Sequence, residues 1–541
     1  MPMTPQAFKL VYEAHREHWS SRTDELKGDL NLYRNGAPGT PVPIAFQMVE
    51  SLVGSLFLRA PSVIGAPGVY GEGSPDLAAA CANEILRKSN ASIENAVKSA
   101  LVFPGSYLVV VPVKARNPMD RVRVLPAHAW RVIRDADALD WGSSRYVGLL
   151  TEIPLEQALA DYSGTSIGDW MPHPKTETWD VVSNGLAPAD EKYVTVVDVW
   201  LPLEGRQVVW SPDFRDDKWV YEGEEIQVGG RVEDQEEQDD AEVERIDGML
   251  YSSSGSPLVP VIPLNFNPDP LDPQASLSFI GVNRPQLQSL NDVSSAQDLM
   301  AKKARRLYMC SPDTLDEASR LALEGGEDST VITPQTMGDV PLGEALVPLP
   351  LLPVPADVPN YKAALLQDLE KASMMPGFTL GQASKATATE ISQLAAYADT
   401  KLGKMASTLA QAVAQAAECA VALLRVMLGE DVEAVSLPRP LGPKLLSARD
   451  LEGDYSFVAV DGANTPASIF QQRQDLERLA PTLAQLGVPA PALLEAMVRA
   501  YNLPEAFLVA PPPAAAPTPT PATAEPGAEV PLDAAQELVP V

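Results

Sequence analysis

The sequence predicts an α+β protein that is predominantly helical. Three observations carry this: several stretches with apolar residues at steps of three and four, one such stretch running for about 40 residues, and a central block of short β-branched runs.

The first helix is expected over residues 5–34, with Phe8, Val11, Tyr12 and Trp19 on its apolar side, ending at the turn pair Asn35-Gly36. After the Pro-rich GAPGTPVP a second helix starts at Pro43 and carries Phe46, Val49, Leu52, Val53, Leu56 and Phe57 on one face. A third covers residues 75–101, with Leu77, Cys81, Ile85, Leu86, Ile93, Val97 and Leu101 as core positions, and stops at Pro104-Gly105.

There the period changes. SYLVVVPV, DRVRVLP, AWRVIRD, RYVGLLTEI, YVTVVDVWLP and RQVVW make residues 106–222 a β-rich module. The run RVEDQEEQDDAEVERID at residues 231–247 is acidic and free of aromatic side chains. A solvated loop and an acidic binding element are both open for it. PLVPVIPLNFNPDPLDP then reads as an extended, proline-fixed connection.

Helix resumes over residues 283–309, followed by a small mixed insertion at 310–357, a helix at 358–373 and the loop MMPGFTLGQASKA at 374–386. Thr387-Ala388-Thr389-Glu390 is a capping-box pattern that opens the longest periodic run. Behind it Ile391, Leu394, Ala398, Leu402, Met405, Leu409, Val413, Ala416, Ala420, Leu423 and Met427 recur at steps of three and four. No proline interrupts them before Gly429, so one helix of about 40 residues and roughly 60 Å is expected. Its alanines also suit a large helical bundle. Two further helical segments occupy 466–508, and the Pro/Ala/Thr sequence from Ala510 cannot offset its own ordering entropy, so 510–541 is expected to be disordered.

A chain of 541 residues exceeds a single core and implies about three or four packing units. Lys and Arg number 41 against 72 Asp and Glu, a net charge of -31, which excludes broad neutralisation of phosphates and also serves solubility. The three cysteines, Cys81, Cys310 and Cys419, show neither a disulfide framework nor zinc spacing, as expected of a reducing interior. The charged N-terminus does not read as a signal peptide, and no run reaches about 18 consecutive apolar residues, so synthesis in the cytoplasm and no membrane partner are expected.

Motifs for chemistry are lacking. No P-loop occurs, and Gly403-Lys404-Met405 has neither the upstream glycine nor the hydroxyl for magnesium. Gly71-Glu72-Gly73 follows no strand and reads as a surface turn. The four histidines, His15, His18, His128 and His173, form no H-E-x-x-H pattern and suit packing or solvated roles. The sequon Asn90-Ala91-Ser92 carries no meaning without secretion. The expectation is a protein that is not an enzyme, with no catalytic residue, no metal and no cofactor. Lys302, Lys303, Arg305 and Arg306 cluster within one and a half helical turns, either as a charged face making ion pairs or as a contact for a polyanion.

The order of these modules resembles the portal proteins of tailed bacteriophages. HREHWSSRTDELKGDLNLYRNG is similar to the family's opening helix and Leu-x-x-Tyr-x-Gly-like turn, here Leu30 to Gly36. VPIAFQMVESLVGSLFLRAPSV resembles the helix ending in a Leu-Phe-x-x-x-Pro element, at Leu56 to Pro61, and NAVKSALVFPGSYLVVVPV with RVRVLPAHAWRVIRDAD resembles the wing stretch. SKATATEI is similar to the small-residue Ala-Thr-Glu motif of the long helix.

The resemblance implies a wing at 1–282, stem helix at 283–309, clip at 310–357, second stem helix at 358–373, tunnel loop at 374–386, long helix with its wing and crown connection at 387–465, and helical crown at 466–509. It further implies a homo-oligomeric ring, with a dodecamer expected, at one capsid vertex of the virion. Double-stranded DNA would pass through, while terminase, a head-tail adaptor and the major capsid protein would dock. Gln382, Ser384 and Lys385 of the tunnel loop would touch DNA transiently. An acidic lumen would keep DNA sliding rather than bound. Two other readings stand beside it: a helical adaptor, tail or internal virion protein without a channel, and a hydrolase using the β-rich module.

Overall fold

Small polar residues and prolines set the helix starts. The Thr4 hydroxyl accepts from the Ala7 N–H at 3.3 Å and Pro5 takes the first position of α1 (Pro5–Ser21), where its missing N–H costs no helical bond. The single helix expected over 5–34 is two. Arg22 leaves helical backbone at φ -100°, its N–H turning back to Trp19, and α2 (Thr23–Tyr33) begins beyond it. α3 (Ile44–Leu56) buries Val49, Leu52, Val53 and Leu56, whereas Phe46 is 45% exposed and its ring lies 5.6 Å from Tyr33.

The expected helix at 75–101 is also divided, into α4 (Pro75–Lys88) and α5 (Asn90–Val102), at Ser89. Ser89 is buried and its hydroxyl accepts the Val124 N–H at 3.0 Å, so a tie to a strand sets the break. All seven predicted core positions of this stretch are buried.

The computed structural model describes residues 2–35, 41–57, 61–67, 74–113, 115–138, 140–162, 165–174, 192–222, 250–252, 257–270, 275–303, 308–309, 347–348, 357–373, 388–428, 432–437, 442–453, 455–459 and 478–481. At 301–303, 308–309, 347–348, 370–373, 388–401 and 436 only the backbone is described. Two compact units divide the chain, Met1–Thr465 and Pro466–Val541, and in the second the described residues are a helical turn at 478–481.

A predominantly helical fold is overturned by the sheets: among the described residues 52% are helical and 25% lie in strands. β2 (Ser106–Pro112) pairs with β3 (Val122–His128) and β12 (Val261–Leu264) in a three-stranded sheet. A six-stranded sheet runs β4 (Val132–Arg134), β5 (Val147–Pro154), β7 (Lys192–Leu201), β8 (Arg206–Trp210) and β9 (Tyr221–Glu222), with β6 (His173–Pro174) also on β7. Four two-stranded ladders complete the set: β1 (Val63–Pro67) with β17 (Tyr455–Ala459), β10 (Leu250–Tyr251) with β11 (Pro257–Leu258), β13 (Tyr308–Met309) with β14 (Val347–Pro348), and β15 (Glu433–Ser436) with β16 (Pro443–Leu446). All are antiparallel. A short α6 (Leu155–Asp161) follows β5.

Several of these strands lie where periodicity reads nothing. β1 and β17 are short, and each half-ladder acquires meaning only from a partner nearly the whole unit away in sequence.

The helices of the second half are α7 (Phe279–Lys303), α8 (Asp357–Ser373) and α9 (Ala388–Leu428). α9 has 41 residues, and Met405, Leu409, Val413, Ala416, Ala420 and Leu423 are all buried. It packs against α3, α4, β2, β3, β12 and β17. Its segment Leu402–Leu428 is long and apolar enough to cross a membrane, yet 61% of the window is buried inside the protein, the apolarity of a core helix.

Candidate functional site

The hairpin of α7 and α8 carries residues 310–346, the heart of the insertion singled out in the sequence. α7 starts at Phe279, four residues before the expected 283, because Ser278 caps it. The Ser278 hydroxyl accepts from Gly281 N–H at 2.8 Å and donates to the Val102 carbonyl at the end of α5 at 2.7 Å. α7 ends at Lys303 rather than 309, and Tyr308–Met309 is a strand.

Arg284 makes the next tie. Its Nε donates to Asp29 Oδ1 at 2.7 Å and its Nη2 to Glu25 Oε1 at 3.1 Å, while Arg22 Nε reaches Glu25 Oε2 at 3.0 Å. The result is an alternating chain of charges joining α2 to α7. Burial holds the Asp29 carboxyl above its ordinary range even beside the guanidinium. Gly281 makes room for it: a Cβ there would stand 3.3 Å from Asp29 Oδ2.

Pro285 lies inside α7 and removes one intrahelical bond. The helix is nonetheless held on both sides of it: before it by Ser278 and Arg284, and beyond it by Asn291, whose Oδ1 accepts the Val42 N–H at 2.9 Å, and by the buried Leu287 and Leu290. Further along, Lys362 Nζ of α8 donates to Ser294 Oγ at 3.2 Å, and Leu365 and Leu369 are buried. Beyond the helices Tyr308 pairs with Pro348 and Met309 with Val347. The chain therefore leaves for residues 310–346 and returns at one place, at the far end of an anchored hairpin.

Lys302 and Lys303 are the last two described residues of α7. Arg305 and Arg306, and the loop residues Gln382, Ser384 and Lys385, lie outside the described residues, as do Thr387 of the capping pattern and residues 231–247. The site's anchoring residues, Ser278, Arg284, Asn291 and Lys362, were not singled out by sequence. Ser278 had a readable signal as a serine before an apolar helix start. Arg284 had none, because its partner Asp29 is 255 residues away.

The β-rich module holds a cluster with the residue types of a hydrolase. His173 Nε2 lies 3.1 Å from both Thr195 Oγ1 and Asp213 Oδ2, and His173 Nδ1 lies 2.8 Å from the Pro174 carbonyl. A nucleophile relay needs the hydroxyl and the carboxylate on opposite ring nitrogens. Here both face the same one. Asp213 also accepts the Thr195 N–H at 2.6 Å, and Ser211 donates to the Thr195 carbonyl at 2.6 Å, so the cluster ties β6 and β7 to the turn after β8. A small depression lined by Arg131, Leu150, Thr151, Glu152 and Thr195 lies alongside.

Among the described residues no group of three His, Cys, Asp or Glu is placed to hold a metal ion. Cys81 and Cys419 are buried and free, and burial pushes the Cys81 thiol up to about 12, the opposite of an activated nucleophile. His15 and His128 lie against Trp130: His15 Nε2 donates to the Trp130 carbonyl at 2.9 Å, and the His128 ring stacks on the indole at 4.4 Å.

No protein-family model matches this chain, and no curated protein matches it.

Proposed function

We propose that the chain is the subunit of a phage portal, a ring at one capsid vertex through which double-stranded DNA is packaged and ejected. The observation that carries the reading is the α7–α8 hairpin with its strand-closed insertion, followed by the 41-residue α9. A channel protein of this kind needs an element that projects from a rigid body and presents a separate docking module. The ties of Ser278, Arg284 and Asn291 supply the rigidity at the base.

On this reading about a dozen copies form a closed ring, because one heterologous contact repeated by rotation must either close or make a filament. Residues 310–346 are the docking module for terminase and a head-tail adaptor, and the body meets the major capsid protein. The net charge of -31 favours DNA that slides past over DNA that is held. Lys385, Gln382 and Ser384, with the cluster of Lys302, Lys303, Arg305 and Arg306, are the proposed transient contacts. The protein is not an enzyme on this account, and its place is the virion after synthesis in the host cytoplasm.

Negative-stain microscopy of the purified full-length chain tests it. Rings with a central hole are expected; rods or trimers would favour a tail, adaptor or internal virion protein instead.

A further inference from the structure

The His173 cluster fails as a nucleophile relay, and its geometry raises a different question, that of where the ring's protons go. Nδ1 lies 2.8 Å from the Pro174 carbonyl, and Nε2 lies 3.1 Å from Asp213 Oδ2. A carbonyl and a carboxylate are both acceptors, so each ring nitrogen needs its own N–H. With a proton on Nδ1 alone, the Nε2 lone pair accepts from the Thr195 hydroxyl at 3.1 Å but also faces the Asp213 carboxylate. With a proton on Nε2 alone, the Nδ1 lone pair faces the Pro174 carbonyl. Only the doubly protonated ring satisfies both contacts.

The carboxylate is held in place independently of the ring. Asp213 Oδ2 accepts the Thr195 N–H at 2.6 Å, and the Asp213 N–H donates to Ser211 Oγ at 3.1 Å. Thr195 and Ser211 are buried, so Asp213 turns away from His173 only by leaving a buried N–H without its acceptor.

The strand that carries His173 has few other ties. β6 is two residues long, with His173 opposite Tyr193 and Pro174 opposite Lys192, and Pro174 brings no N–H to the ladder. Just upstream the same segment is held by contacts that do not titrate. The Met171 N–H donates to the Asp213 carbonyl at 2.8 Å, the Arg215 N–H donates to the Asp169 carbonyl at 3.0 Å, and Trp170 packs on Phe214 at 5.2 Å. Other titratable groups face this site from each neighbouring element. They are Lys192 and Tyr193 of β7, Glu152 of β5 opposite Thr195, Arg131 beside Glu152, Arg215 after Asp213, Asp169 bonded to Ser166, and Tyr12 of α1. Among the described residues, Asp213 is the carboxylate within ion-pair distance of the ring.

We propose that His173 is a proton-operated latch. With two protons on its ring it clamps β6 to Asp213 and β7; loss of one proton releases β6, while residues 169–171 stay in place. A histidine cation that gains a partner on folding stabilises at low pH, and that contribution is lost as pH rises. The latch is therefore closed on the acid side and opens towards the alkaline side. The inference stands apart from the ring reading, and either can fail alone.

Amide hydrogen exchange of the full-length chain, read by mass spectrometry at about pH 6 and about pH 8, tests it, with each rate divided by the intrinsic rate at that pH. Protection of the amides of His173, Lys192 and Tyr193 is expected to fall about threefold between the two, with Met171 and Val413 unchanged. His173→Gln is expected to abolish the pH dependence. Asp213→Asn, which keeps an oxygen for the Thr195 N–H, is expected to do the same and serves if His173→Gln fails to fold. Equal protection at both pH values in the unaltered chain would overturn the proposal. So would a fall that persists in both variants, or one that extends equally to Met171 and Val413.

Discussion

Arg284 Nε stands 2.7 Å from Oδ1 of Asp29, a carboxylate only 1% exposed, across 255 residues of sequence. Removing the cation alone leaves an uncompensated buried charge, a change that costs about 3–5 kcal/mol in comparable sites. Arg284→Met is therefore expected to lower unfolding free energy by that order in urea titration. The double variant Asp29→Asn with Arg284→Met is expected to lose clearly less than the two single losses added together.

His15 has a distinct pH signature. Burial, with the neighbouring His18 and Arg134, drives its pKa down to about 4, against the opposing bond to Trp130. The folded state then holds His15 neutral where the unfolded chain takes up a proton. Stability from this group is full above about 6.5 and is lost as pH falls towards 4. Between pH 7 and 5 the protein is expected to lose about 2 kcal/mol more than a His15→Gln variant does, measured by denaturant unfolding at each pH.

Asp135 behaves in the opposite sense to a buried acid without a partner. Arg145 bonds it through Nε and Nη2, both at 2.7 Å, and these bonds, ahead of the penalty of burial, hold its carboxyl below the usual range. A carboxylate with a depressed pKa contributes stability above its unfolded pKa and loses it as pH falls through the folded one. Arg145 is 56% exposed, so screening keeps the contribution to about 1–2 kcal/mol. Asp135→Asn is expected to cost that much at pH 7 and almost nothing well below pH 4.

Ser278 serves two bonds at once, the cap of α7 and the tie to Val102. Ser278→Ala is expected to cost about 1–2 kcal/mol and to raise amide hydrogen exchange selectively in the first turn of α7. Uniform exchange across the unit would contradict this placement.

What the sequence made legible follows from the range of the interactions. The buried stripe of α9 and the core positions of α4 and α5 depend on the 3.6-residue period alone, and Val413, Ala416, Ile85 and Val97 are fully buried as that period requires. The strands at 106–222 were readable from β-branched runs. Their continuation was not: β12 completes the sheet of β2 from more than 140 residues away, and its VIPL reads equally as a proline-fixed connection. The helix break at Ser89 was hidden for the same reason, since Val124 rather than any local residue claims its hydroxyl. The hairpin's helices were readable. Its anchors Arg284, Asn291 and Lys362 were not, because each finds its partner across dozens to hundreds of residues.

The most direct test of the portal reading is the native mass of the purified full-length protein, measured by mass spectrometry under non-denaturing conditions. The account predicts one closed assembly of about a dozen subunits, each of 58.0 kDa. A monomer or a trimer across the same concentration range would contradict it.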